Sequence, residues 1–320
     1  MTAKGASQDL TQAIKEIALR SGAALVGVAS IDRWDPQPPY GDRAPRGHHP
    51  RDFVPEAKSV IVIAQPILNA VMDAPAVLAD MDIELIPPDI KYPYLEVLYN
   101  TTGHHLQDEM LQFIGQILGQ HLMSSGFDAM VFPTTGIHPR LPDASIPEKQ
   151  IWQGPSRQWS DQFSPFRYSP GPFSHRHAAT RAGLGEFGYN NIVLTPQFGP
   201  RNRFNSIITD AELVADPLIS QPICLRDDCL LCQKACYMGA ITMRDDPQVK
   251  DYRSVPKVDK ARIFIDTPAK TDPVLCNSRR DRIAEAPIRG DCARVCPVPK
   301  ERTHLPKRLQ ALMEEWKSRP

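Results

Sequence analysis

The first 223 residues of the chain contain no cysteine, and all seven cysteines fall between Cys224 and Cys296. An odd number confined to about one quarter of the sequence argues against a disulfide framework and for thiolate ligation. Net charge is also absent. Lysine plus arginine equal aspartate plus glutamate at 37 each, which leaves no global field to attract nucleic acid or an anionic membrane surface. No apolar run reaches the length of a membrane-spanning helix, and MTAKGASQDLTQAIKEIALR carries neither an apolar signal core nor a twin arginine. The expectation is a soluble, cytoplasmic protein. There is no internal repeat and no low-complexity tract. Proline, by contrast, is abundant at 32 of 320 residues, which favours long ordered loops over a helical bundle. The length suffices for one large domain or two ordinary ones.

Along the chain, helix and strand patterns alternate. Leu10, Ile14, Ile17, Ala18 and Leu19 form an apolar stripe at helical spacing over residues 8–21. ALVGVAS (24–30) and SVIVIAQP (59–66) are short β-branched runs of buried-strand type. Residues 104–125 predict a long amphipathic helix closed by Gly126, followed by a strand at 129–133. Periodicity then disappears from 134 to 172, where prolines and aromatic residues recur; a loop of that length is expected to pack down as a wall or lid. A helix at 174–184 and strands at 191–196 and 203–213 precede the cysteines, and residues 301–318 predict a polar helix. The expected fold class is mixed α/β (α+β), divided into a core (1–215), a cysteine-rich segment (216–300) and a terminal helix (301–320).

CLRDDCLLCQKACYMGA (224–240) places Cys229-x-x-Cys232-x-x-x-Cys236 after a displaced Cys224, and the second set is Cys276, Cys292 and Cys296-Pro297. Three close cysteines with a distant Cys-Pro is the ferredoxin-like pattern, in which the last cysteine ligates the other cluster. If that crossed arrangement holds, Cys224, Cys229, Cys232 and Cys296 bind one [4Fe–4S] cluster, and Cys236, Cys276 and Cys292 hold a second. The second site is one thiolate short, because Arg289 stands where a further cysteine would be. It is read as a [3Fe–4S] centre, as a [4Fe–4S] centre with a non-cysteine ligand such as Asp291 or water, or as absent. Structural zinc also takes four thiolates, but usually from two separated Cys-x-x-Cys knuckles, which is not this shape.

With these residues the chain resembles the cobalamin-dependent iron–sulfur reductases, the group of epoxyqueuosine reductases and reductive dehalogenases. The resemblance lies in ALVGVAS, in HPRDFVPEAKSVIVIAQP (49–66), in SHRHAATRAGLGEFGYNNIVLTPQFGPRNRFNSIITDAEL (174–213) and in both cysteine sets. It implies a nitroreductase-like core holding cobalamin and a ferredoxin-like segment feeding it electrons. The absence of an Asp-x-His-x-x-Gly motif agrees with base-off cobalamin. Cofactor contacts are expected at Ser174, Gly183, Leu184, Gly185, Gly188 and Asn190, where glycines would let backbone approach a planar ligand; a plain helix-to-strand turn is the competing explanation.

The resemblance also bears on the reaction. Ser169 stands where an epoxyqueuosine reductase places its proton-donating aspartate, and there is no basic extension for tRNA, so nucleic acid is not the expected partner. For reductive dehalogenation of a small organic substrate, Tyr168 and Tyr189 are candidate proton donors, with Arg167, Arg176 or Arg181 as the cation that lowers a phenol's pKa. His175, His177, His104 and His105 are further candidates for the pocket. Reduced ferredoxin, flavodoxin or a reductase would supply the electrons. An iron–sulfur electron carrier, or a corrinoid-binding accessory protein, is the alternative.

Overall fold

The computed structural model describes residues 3–35, 49–134 apart from 82, 85, 88–90, 92, 93, 96 and 100, 173–243, 269–271, and 290–319 apart from 303. The expected lid at 134–172 lies outside the described residues from 135 onward, with Tyr168, and so does Cys276.

Helix α1 (Ala3–Arg20) leads into β1 (Leu25–Ser30), followed by β2 (Ser59–Pro66), α2 (Asn69–Ala79), α3 (Leu106–Ser124) and β3 (Ala129–Val131). Then come α4 (His175–Arg181), the short strands β4 (Glu186–Phe187) and β5 (Val193–Leu194), and β6 (Asn202–Thr209). The cysteine segment contributes α5 (Leu231–Ala235), β7 (Ile241–Met243), β8 (Ala269–Thr271) and α6 (Asp291–Arg294), and α7 (Lys307–Lys317) follows.

The main sheet has the order β1-β2-β6-β3, and every neighbouring pair is antiparallel. Antiparallel sheets often leave one face to water; this one is covered on both. Val60, Val62 and Ala64 of β2 point into a core with Ala178 and Ala179 of α4 and Ala182 just beyond it. The alternate residues Ile61 and Ile63 meet Ile14 and Ala18 of α1 and Leu111, Ile114 and Leu118 of α3. This three-layer packing is why SVIVIAQP reads as a continuous apolar run without being a parallel strand. A bidentate pair between Arg203 on β6 and Asp108 on α3, at 2.5 to 2.9 Å, fixes the helix across the sheet.

Several sequence expectations shorten: the strand expected at 203–213 ends at Thr209, and the helix expected at 301–318 begins only at Lys307. The helix expected at 174–184 ends at Arg181, because Gly183 adopts φ 71°. NIVLTP forms only a two-residue strand, paired with β4 in a small hairpin. The terminal helix α7 is not a separate unit: Leu309 and Met313 share a core with Leu231, Ala235 and Val295 of the cysteine segment. Among the described residues no helix is long and apolar enough to cross a membrane.

Candidate metal centre

The loops bearing the cysteines aim backbone amides at sulfur. The Leu231 N–H bonds to Cys229, the Val298 N–H to Cys296, and the Ala240 N–H lies 3.2 Å from the Cys236 sulfur. Arg226 and Leu230 flank Cys229 with left-handed φ values of 52° and 53°, a conformation that non-glycine residues seldom adopt. These two kinks turn the chain tightly enough for Cys224, Cys229 and Cys232 to face one space.

That space is a partly open pocket lined by Cys224, Cys229, Cys232 and Cys296. Leu225, Leu230, Leu231, Pro297 and Val298 complete one side, and Gly188, Tyr189, Asn190 and Leu194 form the other. Burial raises the Cys232 thiol far above its ordinary pKa, and the charges of Cys292, Cys296, Cys224 and Cys229 push the same way. Burial likewise pushes Cys296 up to about 11, opposed by the Val298 N–H and the Arg201 charge. Among the described residues no three Cys, His, Asp or Glu side chains converge tightly enough for a single metal ion. The four thiols instead line one pocket together, a donor set of the kind a multi-iron cluster takes.

Sequence reasoning missed the residue that positions Cys224. Glu186, in the middle of Gly-Leu-Gly-Glu-Phe-Gly, accepts the backbone N–H groups of Ile223 and Cys224, both at 2.7 Å, and pairs with Arg226 at 3.2 Å. A lone acid between glycines was the available signal.

The other expected site residues are placed as follows. Cys236 caps α5 and Cys292 lies in α6; neither lines the pocket, although Cys292 acts on Cys232. Asp291, the suggested oxygen ligand, is engaged elsewhere, with one carboxylate oxygen 3.0 Å from Arg294 and the other bonded to Arg308. Tyr189 does face the pocket, but its cation is Arg226, 5.7 Å from the ring centre. Burial and a 3.2 Å bond to Asp227 raise its pKa, the opposite of the tuning expected of a proton donor. Arg181 is remote from it, donating to the Arg33 carbonyl at 2.7 Å with its guanidinium over Trp34.

His175, His177 and His104 are also engaged with protein groups, and His105 is exposed. His175 Nε2 lies 2.8 Å from the Pro133 carbonyl, which only accepts, so Nε2 carries the proton and Nδ1 accepts from the Ser206 hydroxyl at 2.9 Å. Burial lowers its pKa to about 4. His177 is held well below its ordinary value by burial and by Arg181 and Arg176, and its Nδ1 meets Ser174 at 2.7 Å. Ser174 thus caps α4 instead of facing a cofactor. His104 reaches the Tyr99 hydroxyl at 3.1 Å.

The glycines are occupied by protein. A Cβ at Gly183 would stand 2.0 Å from the Pro217 carbonyl oxygen, and one at Gly185 would stand 2.1 Å from that of Leu194. Leu184 packs into the core beside Gly27. Of the expected corrin contacts, Gly188 and Asn190 line the cysteine pocket. The glycine set therefore does not offer a corrin cradle.

The chain matches no family model. It is 42% identical to a tetrachloroethene reductive dehalogenase of Desulfitobacterium hafniense over 74 residues, 22% of this chain and 13% of that protein. In fold it is similar to a catabolic reductive dehalogenase, with TM-score 0.53 and 15% identity over 98% of this chain and 36% of the other. A reductive dehalogenase structure associated with B12-dependent dehalogenation gives TM-score 0.53 at 16% identity, covering 98% of this chain and 34% of the other. The match thus spans a small part of the curated relative, and the chain spans about a third of each of these two structures. In sequence and in fold, the chain resembles the reductive dehalogenases.

Proposed function

We propose that this chain is an iron–sulfur oxidoreductase of the reductive dehalogenase type, in which Cys224, Cys229, Cys232 and Cys296 hold a [4Fe–4S] cluster. The observation that carries the reading is that those four thiols line one pocket. A bound cluster supplies one-electron transfer there. The thiolates hold the iron, and Glu186 fixes the Cys224 backbone. The buried Leu194 and Leu231 back the site with apolar surface, which strengthens charge interactions on that side. Cys236, Cys276 and Cys292 are the proposed ligands of a second cluster.

The proposed substrate is a small organic molecule, the proposed reaction reductive dehalogenation, and the proposed donor a ferredoxin, flavodoxin or reductase. Cobalamin enters as the proposed electron acceptor through the likeness to a B12-dependent enzyme. No step is assigned to it, since Gly183 and Gly185 are closed by protein. That closure, with the raised pKa of Tyr189, favours a second reading in which the chain carries electrons without itself transforming a substrate.

Anaerobic purification with iron, sulfide, zinc and corrinoid analysis tests the proposal. About seven or eight irons per chain, falling by about four in Cys296→Ser, support the two-cluster assignment. Stoichiometric zinc without iron refutes it. Iron with no corrinoid, even after reconstitution with cobalamin, leaves the electron-carrier reading.

A further inference from the structure

Helix α7 reaches the residue immediately before each of three cysteines. Trp316 donates its Nε1–H to the Asp228 carbonyl at 2.9 Å, just ahead of Cys229. Arg308 donates to the Ala235 carbonyl at 2.9 Å, just ahead of Cys236. The same guanidinium nitrogen, Nη2, also bonds to the carboxylate of Asp291, just ahead of Cys292. Beneath these polar ties Leu309 and Met313 pack with Leu231, Ala235 and Val295, and Cys229 and Trp316 lie against the same core.

Arg308 joins two stretches that the sequence keeps apart. Ala235 closes α5, which carries Cys232, and Asp291 opens α6, which leads to Cys296. The two are 56 residues apart. Helix α6 is anchored on its other side as well. The second carboxylate oxygen of Asp291 meets Arg294 at 3.0 Å, and Arg294 gives its Nε to the Met72 carbonyl at 2.6 Å. A continuous chain of bonds thus runs from α5 through Arg308 to α6 and on to α2.

We propose that α7 is the brace of the cysteine site and that Arg308 is its chief positioning residue, holding the Cys296 segment against the Cys224–Cys232 loop. The inference rests on the cluster reading above and adds α7 to what holds the thiolates. Gathering ligands from two distant stretches costs chain entropy. A tie made by the protein itself removes part of that cost from the binding step. The Arg308 side chain is 44% exposed, so water screens part of its pair with Asp291. Asp291→Asn keeps an amide oxygen for Nη2 and leaves this tie standing.

The test is chelator-driven iron release from the anaerobically reconstituted full chain, with iron counted first in each variant. Arg308→Met removes both bonds, keeps the apolar stem and is expected to release iron about tenfold faster. Both bonds leave one nitrogen, so a lysine ammonium with its three donors can replace them. Arg308→Lys is therefore expected to stay close to the wild-type rate. Lys234→Met is the control, because it breaks the 2.6 Å pair with Glu315, another contact of α5 with α7, and touches no group ahead of a cysteine. It too is expected to stay close to wild type. A wild-type rate in Arg308→Met overturns the inference, as does equal acceleration in Lys234→Met or in Arg308→Lys. Should Arg308→Met take up no iron, Trp316→Phe tests the brace by removing the bond to Asp228 while keeping an aromatic ring in the core. It is expected to release iron about threefold faster, and a wild-type rate overturns the inference. Failure of the cluster reading itself is distinguishable, because it shows as missing iron in the wild type before any rate is measured.

Discussion

Replacing Glu186 should release the first cysteine of the proposed cluster while leaving the sheet intact. Its carboxylate accepts two backbone N–H groups at 2.7 Å, those of Ile223 and Cys224. The further pair with Arg226 joins side chains 20% and 40% exposed, so it contributes less than about 1 kcal/mol. The two amide bonds dominate. Glu186→Gln keeps a carbonyl acceptor but exchanges charge-assisted bonds of about 1.5–3 kcal/mol for neutral ones of about 0.5–1.5, a loss of roughly 2 kcal/mol. Glu186→Ala leaves both amides without acceptors, at about 1–3 kcal/mol each. If iron leaves through opening of this loop, each 1.4 kcal/mol speeds its loss about tenfold. Chelator-driven bleaching should therefore be about ten- to thirtyfold faster in the Gln variant and about a hundredfold or more in the Ala variant. Thermal unfolding of the apo protein, followed in parallel, should change little. An Ala variant that releases iron at the wild-type rate would refute the clamp. So would one in which faster release is matched by an equal loss of core stability.

Acid should destabilise the fold through His175, whose pKa is about 4 in the folded protein against about 6.5 in the unfolded chain. The unfolded state binds the extra proton, so stability falls as pH drops from near 6.5 towards 4; chemical denaturation across that range should show a shallower slope for His175→Gln. Asp291→Asn should leave iron content and the EPR signal unchanged while lowering the melting temperature by a few degrees, since its carboxylate serves Arg294 and Arg308; loss of iron would restore Asp291 as a ligand. Gly185→Ala should destabilise the cofactor-free protein by more than about 2 kcal/mol, because the added Cβ meets the Leu194 carbonyl. Unchanged apo stability, with loss only of corrinoid binding, would return that glycine to a cofactor role.

The secondary structure of the core was legible because its layers write distinct periods. The stripe from Leu10 to Leu19 and the run SVIVIAQP appear as α1 and β2 with bounds close to those expected. Pairing direction was not legible. A strand covered on both faces looks the same whether its neighbours run parallel or antiparallel, and only α1, α3 and α4 on the two sides of β2 explain the pattern. Cys224, Cys229 and Cys232 are joined by short loops, whereas adding Cys296, 64 residues after Cys232, depended on the crossed ferredoxin-like pattern; the four side chains line one pocket. Which cation stands by Tyr189 could not. Arg226 is 37 residues from Tyr189 in sequence, whereas Arg181 is only 8 away, and the hairpin and the cysteine loop must be folded together before the choice resolves.

The glycines of residues 183–199 show why a motif can be recognised and still be assigned to the wrong contact. A glycine records only that a Cβ does not fit; it does not say whether a ligand or another stretch of chain fills the space. Here the chain fills it at Gly183, Gly185 and Gly199, and each contact brings a cysteine-bearing or linking segment against the core: residues 217–218, the β5 strand and the Val298 loop. Glu186 adds the clamp on Cys224, and Arg201 ties the segment to the Arg294 carbonyl ahead of Cys296. The segment from 181 to 201 therefore acts as the seat on which the two cysteine loops close, and its residue types follow from that closure before any corrin is invoked.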